Sequence, residues 1–194
     1  MSSSDKNLSD YSQNSGKLEG AAYRVAIVVA DWNKEVTEAL YLGARETLLK
    51  HGVAANHILT VRVPGTFELP QAAACLLKES ERAEDVYRNN AVALRADMAT
   101  RAANAGSPLL LDKIIDAVIC LGCVIKGETS HNEYINHAVA QALQTLALRY
   151  FKPCIFGVLT PNDQQQALDR AGGKHGNKGT EAAITALQML NIEY

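Results

Sequence analysis

The stretch from Gly122 to Ile135 gathers the residue types that anion chemistry needs. Gly122-Cys123-Val124-Ile125 ends an apolar run, Lys126 and Gly127 interrupt it, Glu128, Thr129 and Ser130 follow, and His131 stands where a helix can begin. A glycine keeps side-chain bulk away from an anion. The free N–H groups of a helix start, with the helix dipole behind them, favour a phosphate. Thr129 and Ser130 can add hydroxyl donors, and a histidine with an ordinary pKa of about 6.5 suits proton transfer near neutrality. The same spacing also fits a capped helix after a turn, with a surface histidine.

Three further clusters carry chemistry-bearing side chains. Trp32, the only tryptophan, falls with Asn33 where a strand meets a loop, and its indole can stack on a flat ring or plug the edge of a core. Thr66 and Glu68 offer a hydroxyl and a carboxylate near another helix start, suited to holding hydroxyls or an amine, or to capping. Arg170, Lys174 and Lys178 surround a Gly-rich break. Arg170 could grip a phosphate through two parallel bonds or merely complement a helix C-terminus. The remaining histidines, His51, His57, His137 and His175, read as structural or surface residues.

The elements that must position these clusters alternate in type. Residues 24–30 are apolar on both faces, as a central parallel strand requires. Asn33 then stands as N-cap of a helix carrying Val36, Leu40, Ala44, Thr47 and Leu48 on one face, stopped by Gly52. A strand at 57–63, a turn at Pro64-Gly65 and a helix over 68–80 follow. A third strand spans 116–125, with a helix over 131–150 whose apolar face is Ile135, Ala138, Ala142 and Leu146. A fourth strand covers 154–159. Thr160 as N-cap and Pro161 at the first helical position then open a helix ending near Ala171-Gly172-Gly173, and a last helix runs over 180–190. This order predicts an α/β fold, a three-layer α/β/α sandwich around a four-stranded parallel sheet. In such sheets ligands bind outside the carboxyl ends of the strands, where the first three clusters fall.

Two stretches stand apart from that plan. Residues 1–20 hold too few apolar groups to offset ordering and read as a mobile arm before a domain over 21–194. Residues 81–113 carry five basic and five acidic side chains and eight alanines, and read as a helical insertion. There Tyr87, Ala91, Leu94 and Met98 share a face until Gly106-Ser107-Pro108 breaks it.

The totals set outer limits. A chain of 194 residues can bury a full core, and with 47% hydrophobic residues, 21% charged residues and a net charge of −2 it has no basic excess for a nucleic acid or an anionic membrane. The longest apolar run is about half of the ~20 residues needed to cross a bilayer, and there is no apolar signal core, so a cytoplasmic protein is expected. Cys75, Cys120, Cys123 and Cys154 do not resemble a disulfide framework. Cys120 and Cys123 have a redox or zinc spacing but lie inside an apolar run without a second pair, and read as buried strand cysteines.

Taken together, Pro64-Gly65-Thr66-Phe67-Glu68-Leu69-Pro70, Gly122 to Ile135, Phe156-Gly157-Val158-Leu159-Thr160, and Gln166 to Gly172 with Gly176-Asn177-Lys178-Gly179 resemble the 6,7-dimethyl-8-ribityllumazine synthases, in order and nearly in spacing. The likeness covers about residues 22–191 apart from the insertion and implies a flavodoxin-like fold. It implies condensation of 5-amino-6-(D-ribitylamino)uracil with 3,4-dihydroxy-2-butanone 4-phosphate, the penultimate step of riboflavin synthesis, without metal or cofactor. Carried over, Trp32 stacks on the pyrimidine with Asn33 beside it, and Thr66, Phe67 and Glu68 hold the ribityl chain and ring amine. Val124 and Ile125 offer backbone contacts to the ring, and Gly127, Glu128 and Thr129 form the phosphate loop. His131 moves the proton and Arg170 binds phosphate, while Phe156 and Lys178 reach the site across a subunit boundary. The resemblance also implies a homopentamer, closed in some members into a twelve-pentamer shell, and raises riboflavin synthase as a partner. A non-catalytic lumazine- or flavin-binding relative would have lost Glu68, His131 or Arg170, and all three are present.

Overall fold

Buried on both faces throughout its length, Val25–Ala30 forms β1, the centre of the sheet, in the computed structural model, which describes residues 18–96 and 113–192. The elements after it are α1 (Lys34–Lys50), β2 (Ile58–Val63), α2 (Leu69–Ala96), β3 (Ala117–Cys123), α3 (His131–Tyr150), β4 (Cys154–Leu159), α4 (Gln164–Asp169), β5 (Ala171–Gly173), β6 (Gly176–Asn177) and α5 (Lys178–Leu190). The four longer strands pair in parallel in the order β2-β1-β3-β4, giving the expected α/β/α sandwich.

Alternation along β1 divides the core. Val25, Ile27 and Val29 face Val36, Leu40, Ala44 and Leu48 of α1 and Ala182, Ala183, Ala186 and Leu187 of α5. Ala26, Val28 and Ala30 face Leu69, Ala73 and Leu77 of α2 and Val139 and Leu143 of α3. Burying a side chain the size of Leu40 or Leu143 stabilises by about 1.5–3 kcal/mol. The close approach of α1 and α5 depends on Gly179, because a Cβ there would lie 1.8 Å from the Leu40 carbonyl oxygen. The chain runs from β1 outward to β2 and then back across to β3, so the loops after β1 and β3 diverge and leave a crevice between them.

Several boundaries differ from the expected ones. Helix α2 does not stop at Ser80 but continues to Ala96, since no glycine or proline interrupts its run of helix-forming residues. Of the proposed apolar face of α3, Ala138 is exposed, and Val139 and Leu143 are the buried anchors. Helix α4 starts three residues later than Thr160-Pro161 suggested. The Asp163 carboxylate accepts the Gln166 N–H at 2.8 Å and is the true cap. Helix α4 ends at Asp169, just before the Gly-rich break as expected, and the break itself forms a small antiparallel hairpin of β5 and β6. Asn177 then caps α5, accepting the Gly179 and Thr180 N–H groups at 2.8 and 3.2 Å.

Where α2 passes the entries of β3 and β4, one polar clasp joins them. The buried Ser80 hydroxyl accepts the Ile115 N–H at 2.9 Å, and Lys152 donates to Ser80, to Glu84 and to the Ile115 carbonyl. Ile115 and Lys152 lie just before β3 and β4, at the sheet edge opposite the crevice. Met98 and the break at Gly106-Ser107-Pro108 fall outside the described residues, as does most of the expected N-terminal arm. Among the described residues, no helix is long and apolar enough to cross a membrane.

Candidate active site

At the carboxyl edge of the sheet, backbone hydrogen bonds tie the three loops to neighbouring strands. The Asp31 N–H donates to Val63 O at 2.8 Å and Trp32 N–H to Pro64 O at 3.0 Å, so the loop after β1 leans on the loop after β2. Val124 N–H donates to Leu159 O and Lys126 N–H to Pro161 O, each at 2.9 Å, which carries the loop after β3 along β4. Between these anchored loops lies a cavity of about 550 Å³.

Ten of the fourteen expected site residues line it: Trp32 and Asn33, Thr66 to Glu68, Val124 and Ile125, then Gly127, Thr129 and His131. Trp32 and Phe67 stand on the rim with 70% and 59% of their surfaces exposed, far more than core aromatics show. The Glu68 carboxylate sits beside Gly65, whose added Cβ would lie 3.0 Å from Oε2. Thr66 is buried, and its hydroxyl has no hydrogen-bond partner among the described residues. Asn132 and Ile135 also line the cavity; Ile135 sits four positions after His131 on α3, a helical spacing that could have found it, whereas Asn132, one position on, carries no such signal.

The anion loop has two properties of its own. Ser130 occupies the cap position of α3 without a side-chain capping bond, leaving the helix start able to serve an anion. Gly127 is not in the left-handed region, and a Cβ there would meet nothing within 4 Å, so neither backbone conformation nor packing inside the chain demands a glycine. Glu128, although in the same loop, is exposed and off the lining.

Asn33 does not act as the expected side-chain cap. It occupies the cap position with φ 58° and ψ 47°, and its carboxamide donates instead to the Cys123 carbonyl at 2.9 Å. Cys120 and Cys123 are buried, and burial pushes the Cys123 thiol up to about 11, in keeping with structural cysteines.

Phe156, Arg170 and Lys178 are not brought to this cavity. Phe156 and Lys178 line a second concavity of about 940 Å³ beside the edge strand β4 and helix α5. The nearly buried Glu181 carboxylate holds both cations, with Arg170 Nη2 at 2.9 Å and Lys178 Nζ at 3.1 Å, and Arg170 Nη1 donates to His175 O at 2.9 Å. The first cavity therefore has a carboxylate and a histidine but neither lysine nor arginine on its lining.

The family model for 6,7-dimethyl-8-ribityllumazine synthase matches residues 22–193. A protein of that name from Cytophaga hutchinsonii is 48% identical over 191 residues, 98% of each chain. Another of that name, from Porphyromonas gingivalis, is 42% identical over 193 residues, 100% of this chain and 99% of its own. One from Parabacteroides distasonis is 40% identical over 192 residues, 99% of each. With the crevice site in place on a doubly covered parallel sheet, and this similarity running through nearly the whole sequence, the chain belongs to the 6,7-dimethyl-8-ribityllumazine synthase family.

Proposed function

We propose that this chain condenses 5-amino-6-(D-ribitylamino)uracil with 3,4-dihydroxy-2-butanone 4-phosphate in a site that two neighbouring copies complete. The observation that carries this reading is the separation within one chain: a cavity with a stacking aromatic, a carboxylate and a histidine, but its cations elsewhere. A phosphate dianion needs a charged donor beyond amides and hydroxyls. Arg170, with Phe156 and Lys178, meets that need when a neighbour's β4 edge abuts the cavity.

The roles follow from the chemistry. Trp32 stacks on the pyrimidine, while Val124 and Ile125 present backbone to its edge. Thr66, Phe67 and Glu68 hold the ribityl hydroxyls and ring amine, while Asn33 stands beside Trp32. Gly127 to Thr129, including the Glu128 backbone, cradle the phosphate with a neighbour's Arg170. The arylamine attacks the ketone carbon, water leaves to give the imine, phosphate departs and leaves a new carbonyl, and the ribityl-bearing nitrogen attacks that carbonyl with loss of a second water to close the ring. His131 moves protons in these steps, and the cation with the loop amides holds the departing charge. Because the amine is already a nucleophile, much of the acceleration comes from positioning two substrates.

Rings of five copies, alone or closed into a twelve-pentamer shell, satisfy the head-to-tail contact that such a split site requires. Light scattering distinguishes the two assemblies, and co-purification tests riboflavin synthase as a partner. The activity is tested by mixing both substrates with the protein and following the lumazine chromophore; formation no faster than without protein refutes it. The shared site is tested by co-assembling Glu68→Ala and Arg170→Ala chains. About a quarter of interfaces then pair two intact halves and regain activity, whereas a site within one chain regains none.

A further inference from the structure

Asn33 has an unusual combination of backbone and side chain. It is one of two non-glycine residues with positive φ among the described residues, the other being Phe151. Asparagine enters this region more readily than most residues, but an ordinary helix cap has extended backbone and a side chain that accepts from the first turn. Here the backbone carbonyl alone serves the helix, accepting Val36 N–H at 2.9 Å and Thr37 N–H at 3.1 Å. That frees the carboxamide to reach Cys123 O, ninety positions away in sequence. Since the partner is a carbonyl, the donor must be Nδ2.

The consequence falls on Trp32. Its own N–H is fixed to Pro64 O, on the loop after β2, and the next side chain is fixed to Cys123 O, at the end of β3. The residue after Cys123 is Val124, which with Ile125 forms the part of the lining across from the indole's loop. Trp32, with 70% of its surface exposed, has little packing of its own to set its position. The Asn33 bond therefore spans the crevice between β1 and β3 while the Trp32 bond holds the same loop against the loop after β2, and the pair set the separation of indole and ring-binding backbone.

We propose that Asn33 is a positioning residue: its left-handed backbone and its bond to Cys123 O hold Trp32 at stacking distance from the substrate pyrimidine. This rests on the reading of Trp32 as the stacking residue, and gives Asn33 a role distinct from direct substrate contact. Asn33→Gly keeps the backbone conformation and removes the strut. Asn33→Asp keeps size and places a carboxylate against the carbonyl.

Because Trp32 is the only tryptophan, its fluorescence anisotropy in the ligand-free protein reports its mobility directly. Both variants are expected to lower that anisotropy and to raise KM for the ribitylaminouracil by about tenfold, the loss of one well-placed hydrogen bond, with KM for the butanone phosphate unchanged. Unaltered anisotropy in both folded variants overturns the proposal, even if KM rises, because that pattern marks direct contact. Trp32→Ala separates the underlying reading: if it leaves KM for the ribitylaminouracil unchanged, Trp32 is not the stacking residue, whatever Asn33 does.

Discussion

The crevice loops and the cation cluster beside the hairpin differ in how well each satisfies itself. The loops are anchored by backbone hydrogen bonds and the Asn33 carboxamide, and they leave a buried hydroxyl without a partner and two large rings in solvent. In the cluster, Glu181 holds Arg170 and Lys178, and Asp169 holds Lys174 at 3.0 Å while accepting from Gln165 at 2.9 Å. One region is open and waits for atoms the chain does not supply; the other is closed on itself and presents preformed charge. Preformed charge is what a leaving anion requires, since donors that need not reorganise act most strongly in the transition state.

The sharpest way to break this contrast is Arg170→Ala. If the cluster serves the open site, turnover falls by about 10²–10³-fold, and a single-turnover assay in which the variant matches the parent would leave the cluster purely structural. His131→Ala comes next, with a loss of about 10²-fold, the low end for a proton-transfer group, that slows the reaction without abolishing it, because positioning by the remaining loops persists. Pre-steady-state product formation measures it, and a complete loss would make the histidine more than a proton carrier.

Glu181→Gln tests whether the ion pairs are themselves the device. Releasing Arg170 and Lys178 from their shared carboxylate is expected to raise KM for the butanone phosphate by about tenfold, while KM for the ribitylaminouracil stays put. A change in the unfolding midpoint alone would assign Glu181 to the fold. The smallest effect concerns Asp169, whose carboxyl is held below its ordinary value by the Gln165 hydrogen bond and then by Lys174. A depressed carboxylate stabilises above its unfolded value of about 3.9 and loses that contribution as pH falls through the lower folded value. The parent should therefore lose more denaturant resistance between pH 5 and 3 than Asp169→Asn, and parallel curves would discount the pair.

What could be read from sequence follows from how local each cause is. The central strands β1 and β3 were legible because both-face burial writes continuous apolar runs, and α1 because Val36, Leu40, Ala44, Thr47 and Leu48 keep helical period. Helix α3 begins at His131 and ends at Tyr150 as its pattern indicates. The β5–β6 hairpin escaped notice because strands of three and two residues carry no period. The start of α4 was misplaced because Thr160-Pro161 and Asp163 both make plausible caps, and only the Gln166 N–H decides between them. Asn33 was illegible for a deeper reason: its partner lies on another strand, so no window of sequence contains the bond. The separation of Arg170 from the crevice was likewise invisible, since spacing along a chain says nothing about which copy a side chain serves.

The clasp of Ser80, Glu84, Ile115 and Lys152 carries a practical consequence for protein engineering. It joins Ser80 and Glu84 of α2 to Ile115 and Lys152, on the side of the sheet away from the crevice, so the chain that leaves α2 returns to β3 at a fixed point. For a loop with its ends already joined, each doubling of length costs only about 0.6 kcal/mol. Chain inserted after Glu84 and before Ile115 therefore only lengthens a loop that is already closed away from the crevice, provided Ser80, Glu84 and Lys152 are kept.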